Sequence, residues 1–224
     1  MTDFLISSII IAYRCIRQYY LQKPEEIKSS IKYTICKQLS SADLSETNQE
    51  RIWESIILIE QDSKPEDRLI FDDYYTANLH TPLREYTDLD TIVRCKKLGI
   101  YGLLDKFNSM SHEATVVRAT KAPETGCWPE DRVRITALQL CIEETLNISL
   151  KGLYVEYIPS GIVRLYEPGP RDRRTLIQTI AQMKKVVQGN IPPKPANPPC
   201  KGCRYRDTCD TGSPRSLLQI FKKG

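Results

Sequence analysis

Three cysteines fall within ten residues near the C-terminal end of the chain, and they constrain its fold more than any other feature. They are spaced C-x-x-C-x5-C, at Cys200, Cys203 and Cys209. A C-x-x-C turn brings two thiolates to one metal centre without help from a helix or a strand. A four-ligand centre then needs a ligand from a distant part of the sequence, so the fold has to bring two remote segments together.

Cys15 is the predicted fourth ligand. It follows an apolar helical face near the N-terminus, and Arg14 and Arg17 lie beside it, where positive charge favours thiolate over thiol. The spacing leaves three possibilities open: an iron–sulfur cluster, a zinc ion held by four cysteines, or a disulfide, which a reducing compartment disfavours. Two other cysteines, Cys36 and Cys141, lie in helical patterns and are interpreted as small core residues.

The composition is that of an ordinary globular protein. Of the 224 residues, 41% are hydrophobic and 27% are charged, and the formal net charge is only +4. A nucleic-acid binder of this kind would therefore need a local basic patch. No stretch approaches the roughly 20 apolar residues of a membrane span, and the first apolar run lacks the features of a secretory signal. We expect a cytoplasmic chain that contacts no membrane.

Hydrophobic periodicity predicts helices first and a sheet afterwards. Helical spacing covers residues 3–21, 24–39, 47–60 and 65–79. Stretches rich in β-branched or aromatic residues predict strands at 83–87, 91–94, 98–107 and 114–118. The later predicted elements are a helix at 129–146, strands at 152–158 and 162–166, a helix at 170–189 and a proline-rich extended segment at 191–199.

This order of elements predicts an α/β (α+β) fold with a central mixed sheet flanked by helices. We expect a single domain over residues 1–224. It would comprise a helical insertion at 24–80, a core at 81–189, and a cysteine region with a tail at 190–224.

Several short motifs match one known family. At the two ends they are Cys15-Ile16-Arg17, the helix from Arg173 to Gln188, the segment Gly189-Asn190-Ile191-Pro192-Pro193 and the three C-terminal cysteines. In between they are Gly102-Leu103-Leu104-Asp105, for G-x-x-D, and a helix with Asp131, Glu143 and Glu144. In these motifs the chain resembles the CRISPR-associated Cas-four family of RecB-like nucleases, which shares its domain with the nuclease part of the Dna-two helicase.

The resemblance implies a RecB-like PD-(D/E)xK nuclease core, with Mn²⁺ or Mg²⁺ activating a water that attacks a phosphodiester. The implied catalytic residues are Asp105 and Lys121, and the implied metal ligands are Asp105 and His80. The implied partners are single-stranded DNA or DNA ends and CRISPR-adaptation or DNA-repair proteins. The implied ligands of a 4Fe-4S cluster are Cys15, Cys200, Cys203 and Cys209.

The catalytic motif of this family is incomplete in the sequence. If Lys121 is the lysine of E-x-K, the glutamate position holds Ala119, and one residue earlier it holds Arg118. Asp105 is then the one secure acid of the metal site. Glu124, in a nearby loop, is a candidate substitute for the missing glutamate.

Basic residues suggest nucleic-acid contacts. Arg134 replaces the family's helix glutamine, and Arg204 and Arg206 flank Tyr205 in the cysteine loop, an arrangement suited to a single strand. Two functions follow: a single-stranded DNA exonuclease with weak or lost activity, or a non-catalytic iron–sulfur DNA-binding subunit of a repair or CRISPR-adaptation complex. The resemblance favours the first and the missing glutamate the second. Electron transfer is less favoured, because no partner cofactor motif is visible.

Overall fold

The computed structural model describes residues 3–22, 30–195 and 199–211, with the side chains of 210 and 211 left out. Its helices are α1 (Ile6–Arg14), α2 (Ile16–Leu21), α3 (Ile31–Ser41), α4 (Gln49–Ile59), α5 (Pro65–Asn78), α6 (Pro129–Leu146), α7 (Pro170–Val187) and α8 (Arg206–Thr211). Its strands are β1 (Phe4–Leu5), β2 (Asp88–Cys95), β3 (Ile100–Asn108), β4 (Glu113–Arg118), β5 (Gly152–Tyr157) and β6 (Ile162–Leu165). None of the helices described is long and apolar enough to cross a membrane.

The strands form one mixed sheet. Its order is β1-β3-β4-β5-β6, and β2 pairs with β3. The β1–β3 and β4–β5 pairs are parallel, whereas β2–β3, β3–β4 and β5–β6 are antiparallel. The predicted central mixed sheet flanked by helices is confirmed.

One edge of β3 is shared between two partners. β2 pairs along the other edge, while β1 pairs only at Ile100 and Tyr101 and β4 only from Lys106 to Asn108. Residues 102–105 therefore face a gap between β1 and β4, where the sheet divides. The first residue of α1, Ile6, packs against Gly102 at this gap.

Two hydrophobic clusters hold helices to the sheet. The first joins α1, α6 and α7 to the strands through fully buried residues such as Ile9, Ile135 and Leu176. The second joins α3, α4 and α5 to Val117 at the end of β4 and to Ile158. Burial of a large aliphatic side chain contributes roughly 1.5–3 kcal/mol, so these helices are held mainly by their apolar faces. The sheet consequently lies between two helical layers.

A buried ion pair ties the sheet to the end of α3. Lys106 Nζ lies 2.9 Å from Glu156 Oε1, and the two side chains are 1% and 0% exposed. Lys106 also donates to the Ser40 carbonyl at 2.9 Å, and Glu156 accepts from the Ser40 hydroxyl and from the Arg84 amide. Burial lowers the pKa of Lys106, and the charge of Glu156 opposes that shift. The pair is fully hydrogen-bonded, as a buried pair must be to persist.

The predicted helix over residues 3–21 is wrong as a single element. It begins as strand β1 and is interrupted at Cys15, whose backbone is extended at φ −162° and ψ 107°. The Cys15 amide closes α1 on the Ile11 carbonyl, and the Cys15 carbonyl accepts from the Tyr19 amide in α2. Apolar periodicity could not reveal the break, because the apolar residues continue on both sides of it.

The predicted strand at 83–87 is also wrong. This segment is irregular, and it is fixed by single contacts such as the bond from the Arg84 amide to Glu156 and the bond from the Thr87 amide to the Phe107 carbonyl. The predicted helix at 24–39 begins outside the described residues, and its described part is α3. The other predicted helices and strands are present, with ends shifted by a few residues.

We predict that Gly102→Ala destabilises the protein by about 1–3 kcal/mol through overpacking. An added Cβ would lie 2.7 Å from Ile6 Cδ1 and 3.1 Å from Ile6 Cβ. Urea unfolding measures the loss. Gly169→Ala is the matched control, because its nearest heavy atom would be 3.8 Å away. Ile6→Val should recover part of the loss in the Gly102→Ala background, and equal effects of the two glycine substitutions would contradict this packing.

Candidate functional site

Asp105 occupies the gap between β3 and β4. The two strands stop pairing after Lys106 and Thr115, and the Asp105 carboxylate enters the space between them. Its Oδ2 accepts a hydrogen bond from the Val117 amide at 2.8 Å, and the residue is only 5% exposed. The carboxylate thereby satisfies a backbone donor that has no strand partner at this point.

Helix α3 covers the other carboxylate oxygen. The Tyr33 hydroxyl donates a short hydrogen bond to Asp105 Oδ1, and Lys37 Nζ lies 3.4 Å from the same atom. Lys37 also pairs with Asp90. Burial, together with the neighbouring Asp105 charge, raises the pKa of Tyr33, so this hydroxyl stays protonated and continues to donate. Both oxygens of Asp105 are thus engaged by protein groups.

A second buried acid is neutralised by an arginine of the strand. Arg118, the last residue of β4, places Nε 2.6 Å from Oδ1 of Asp131 in the first turn of α6. Asp131 is fully buried, and its Oδ2 accepts from the Tyr157 hydroxyl at 2.9 Å. Burial and the Asp131 charge raise the pKa of Tyr157. Arg118 therefore already balances the carboxylate nearest to the end of β4.

Arg134 adds positive charge that no described acid pairs with directly. It is half-buried on α6, and its Nε has no hydrogen-bond acceptor. Burial, followed by the nearby Arg118 charge, lowers the pKa of Arg134, while Asp131, Asp105 and Tyr33 oppose that shift. No ion pair within the described residues includes this guanidinium. The surroundings of Asp105 thus carry more positive charge than a cation site would.

The other predicted catalytic and metal-binding residues lie apart from these contacts. Lys121 is exposed in the loop after β4, and its carbonyl accepts from Trp128 Nε1. His80 is exposed in the turn after α5, and Glu124 is exposed in the same loop as Lys121. None of the three is among the partners of Asp105. Since Lys121 lies beyond the strand, Arg118 is the basic residue that β4 itself supplies.

The expected Mn²⁺ or Mg²⁺ does not fit this arrangement. Within residues 3–22, 30–195 and 199–211, no group of three or more His, Cys, Asp or Glu side chains is placed to hold a metal ion. Divalent cations of this kind need several oxygen ligands. Asp105 is instead surrounded by Lys37 and Tyr33, and Asp131 by Arg118.

The four cysteines that the sequence selects line one small cavity. Cys15 stands at the break between α1 and α2, and the C-terminal residues Cys200, Cys203 and Cys209 complete the thiol lining. Three backbone bonds order the loop, from the Cys203 amide to the Cys200 carbonyl, from the Arg206 amide to the Cys203 carbonyl and from the Cys209 amide to the Tyr205 carbonyl. The remote segments therefore meet, and four thiols in one cavity are the donor set that an iron–sulfur cluster or a four-cysteine zinc ion uses.

The remaining cysteines are outside this cavity. Cys36 and Cys141 are fully buried in the two hydrophobic clusters, and burial raises the pKa of each thiol to about 12. Both are therefore protonated and packed as core residues, in agreement with the sequence interpretation. Cys95 donates to Glu144, and Cys127 is half-buried before α6.

The residues expected to contact nucleic acid lie in two regions. Arg134 belongs to α6, whereas Arg204, in the turn before α8, and Arg206, the first residue of α8, are exposed in the cysteine region. The Arg204 guanidinium carbon lies 6.0 Å from the centroid of the Tyr205 ring, and Arg206 lines the cysteine cavity. Tyr33 and Lys37 were not predicted, although their i,i+4 spacing on a helix was a usable signal.

No protein-family model and no curated protein matches this chain. Its fold is similar to that of a crystal structure from Eubacterium rectale, described as a "Putative exonuclease". The TM-score is 0.62 with 10% sequence identity, over 99% of this chain and 94% of that chain. Identity this low shows a likeness of fold alone.

We predict that Asp131→Asn lowers the free energy of unfolding by about 3 kcal/mol, because it leaves the Arg118 charge without its buried partner. The substitution keeps the shape of the side chain and an oxygen for Tyr157. Asp73→Asn, at an exposed position of α5, is the control and should change stability little. Denaturant unfolding of both variants, and of the Arg118→Met/Asp131→Leu pair, measures the effect. If Asp131→Asn were as stable as the control, the ion pair would not support the fold.

Proposed function

We propose that this chain is an iron–sulfur, DNA-binding protein with a RecB-like nuclease fold whose hydrolytic activity is weak or lost. The observation that carries the proposal is the Arg118–Asp131 ion pair at the end of β4, 2.6 Å between Nε and Oδ1. Arg118 stands where an acid should be if the E-x-K motif is placed one residue earlier, and Ala119 stands there if Lys121 is the motif lysine, so neither placement supplies a metal-binding acid. We therefore prefer the non-catalytic hypothesis, in which the chain is a subunit that binds DNA in a repair or CRISPR-adaptation complex.

Charge repulsion disfavours a catalytic cation beside Asp105. Two like unit charges 4 Å apart repel by roughly 4 kcal/mol at an effective dielectric constant of 20. Arg118, Arg134 and Lys37 all act on the same region. A divalent ion would have to displace at least one of these cations, as well as Tyr33, before it could bind both a carboxylate and a phosphate oxygen.

The same charges suit a phosphate. Arg134 has a guanidinium without an ion-pair partner among the described residues, and a phosphate oxygen accepts bidentate hydrogen bonds from such a group. In the cysteine loop, Arg204 and Tyr205 combine a cation with an aromatic face, on which a base of a single strand could stack. These features support single-stranded DNA or DNA ends as the ligand.

We prefer a 4Fe-4S cluster to zinc because the resemblance implies one, whereas the four thiols of the cavity are ligands that either centre could use. A zinc ion holds four thiolates on one atom, each at about 2.3 Å. In a cubane each thiolate binds a different iron, so the ligands stand further apart. The four cysteines share one cavity, and metal analysis of the purified protein distinguishes the two centres.

A second candidate is a Mn²⁺- or Mg²⁺-dependent exonuclease, and the buried Asp105 favours it. Its carboxylate lies where β3 and β4 separate, as the resemblance requires for the first metal ligand. This activity would need a further acid, such as Glu124, to move towards Asp105 when DNA binds. Robust cleavage of single-stranded DNA with manganese, abolished by Asp105→Ala, would establish it.

We predict that anaerobically purified protein is brown and contains about four iron and four sulfide per chain, as one cubane requires. Cys203→Ala should lose most of the iron, because it removes a ligand. Cys36→Ala is the matched control and should keep the iron, since Cys36 lies in the hydrophobic core. Iron, sulfide and zinc analysis measures this. Stoichiometric zinc without iron, in natural protein, would exclude the cluster.

We predict that the protein binds single-stranded DNA with an affinity that falls steeply with salt, and that Arg134→Gln reduces the salt slope by about one. The reason is the loss of one phosphate contact. Fluorescence anisotropy over a range of salt concentrations measures the slope. Arg51→Gln removes the same charge from an exposed position on α4 and should change binding much less. Equal losses in the two variants would mean that binding reflects only the overall charge.

A further inference from the structure

Arg17 is a buried cation in the short helix next to Cys15. The residue is only 5% exposed, although arginine is almost never fully buried unless it is paired. Its guanidinium carbon lies 5.4 Å from the centroid of the Tyr20 ring. Such a ring offsets a small part of the cost of burying the charge.

One hydrogen bond of Arg17 joins the two ends of the chain. Its NH1 group donates to the Pro192 carbonyl at 3.1 Å, across 175 positions of sequence. Proline-rich segments lack many backbone donors and cannot join a sheet, so side chains must hold them in place. Arg17 does this for the segment that leads to Cys200.

The positive charge of Arg17 is not neutralised by the described residues. None of the ion pairs in residues 3–22, 30–195 and 199–211 includes it, and its buried Nε has no hydrogen-bond acceptor. A buried charge without a counter-charge costs several kcal/mol. A nearby anionic group would remove most of that cost.

The cysteine cavity lies between the two elements that Arg17 connects. Gln18 and Leu21 of α2 line it from one side together with Cys15, and Lys194 lines it from the proline segment. Arg17 and Pro192 do not line the cavity themselves, but their hydrogen bond joins the two segments whose neighbouring residues do. Four thiolates around iron would make that cavity a concentration of negative charge.

We propose that Arg17 is a positioning residue of the four-cysteine centre. It fixes the proline segment so that the C-terminal cysteines face Cys15, and its charge offsets the negative charge of the thiolate-bound cluster. The inference rests on the proposed function, because it presumes that the cavity holds a cluster. Removal of a group that holds the ligands of a metal site in place changes metal retention by about 10- to 100-fold.

The test compares Arg17→Gln, Arg17→Lys and Arg14→Gln in anaerobically purified, cluster-loaded protein. Arg14 lies on the other side of Cys15 and is exposed. Its substitution therefore removes one positive charge but leaves the hydrogen bond from Arg17 to Pro192 in place. Three quantities are measured: the rate of iron loss to a chelator, the midpoint potential of the cluster, and the melting temperature of the cluster-free protein.

Arg17→Gln should lose iron at least tenfold faster than natural protein. Its midpoint potential should be lower, because reduction adds negative charge that the guanidinium otherwise stabilises. Arg17→Lys keeps the charge but not the planar donor, so it should retain the potential while losing iron faster. Arg14→Gln should match the natural protein in both measurements.

Two results would overturn the inference. The first is that Arg17→Gln equals Arg14→Gln in iron loss and potential. The second is that it lowers the melting temperature of cluster-free protein while leaving the potential unchanged, which would make it a purely structural clamp. If Arg17→Gln does not fold, a shifted potential in Arg17→Lys would contradict the role of the charge. If natural protein takes up no iron, the proposed function is contradicted instead, and this result is known before any variant is compared.

Discussion

Asp105 lies where β3 and β4 stop pairing, and its carboxylate accepts a hydrogen bond from the Val117 amide. Without this bond, the donor would be buried and unpaired where the sheet divides, at a cost of about 1–3 kcal/mol. The surrounding elements meet at this point: α3 supplies Tyr33 and Lys37, and β4 continues to Arg118. The gap between the strands thus brings these polar groups together inside the sheet.

The two carboxylates at this gap are each balanced by a basic side chain of the protein. Lys37 and Tyr33 complete the environment of Asp105, and Arg118 completes that of Asp131. A metal-dependent nuclease site leaves its carboxylates open to a cation and a substrate. Here the protein supplies the positive charge itself, and Arg134 has no ion-pair partner among the described residues.

The sequence was most informative where a pattern was local. The helix over 129–146 and the turn at Gly161, which has positive φ, follow from proline, glycine and apolar spacing. The break at Cys15 did not, because α1 and α2 share one continuous apolar pattern. The false strand at 83–87 had β-like composition but is fixed by contacts with distant residues. Local pattern cannot report contacts of that kind.

The candidate sites divide in the same way. The four cysteines were selected by spacing and resemblance, and they line one cavity. The partner of Asp131 was not foreseen, because Arg118 was considered only as a departure from a motif. Nor was the buried pair of Lys106 and Glu156, which lie 50 positions apart. Charged residues in a strand are ordinarily read as exposed, and only the tertiary fold shows that these two are buried against each other.

The contact between Arg17 and Pro192 has a consequence for how the chain matures on the ribosome. The two residues are made 175 positions apart. At a synthesis rate of roughly 5–20 residues per second, Pro192 is made on the order of 10 to 35 seconds after Arg17. During that interval the N-terminal helices lack their C-terminal cover, and Cys15 is more accessible to oxidants than in the finished protein. Completion of this end of the molecule is therefore a late event in biosynthesis, set by the timing of translation.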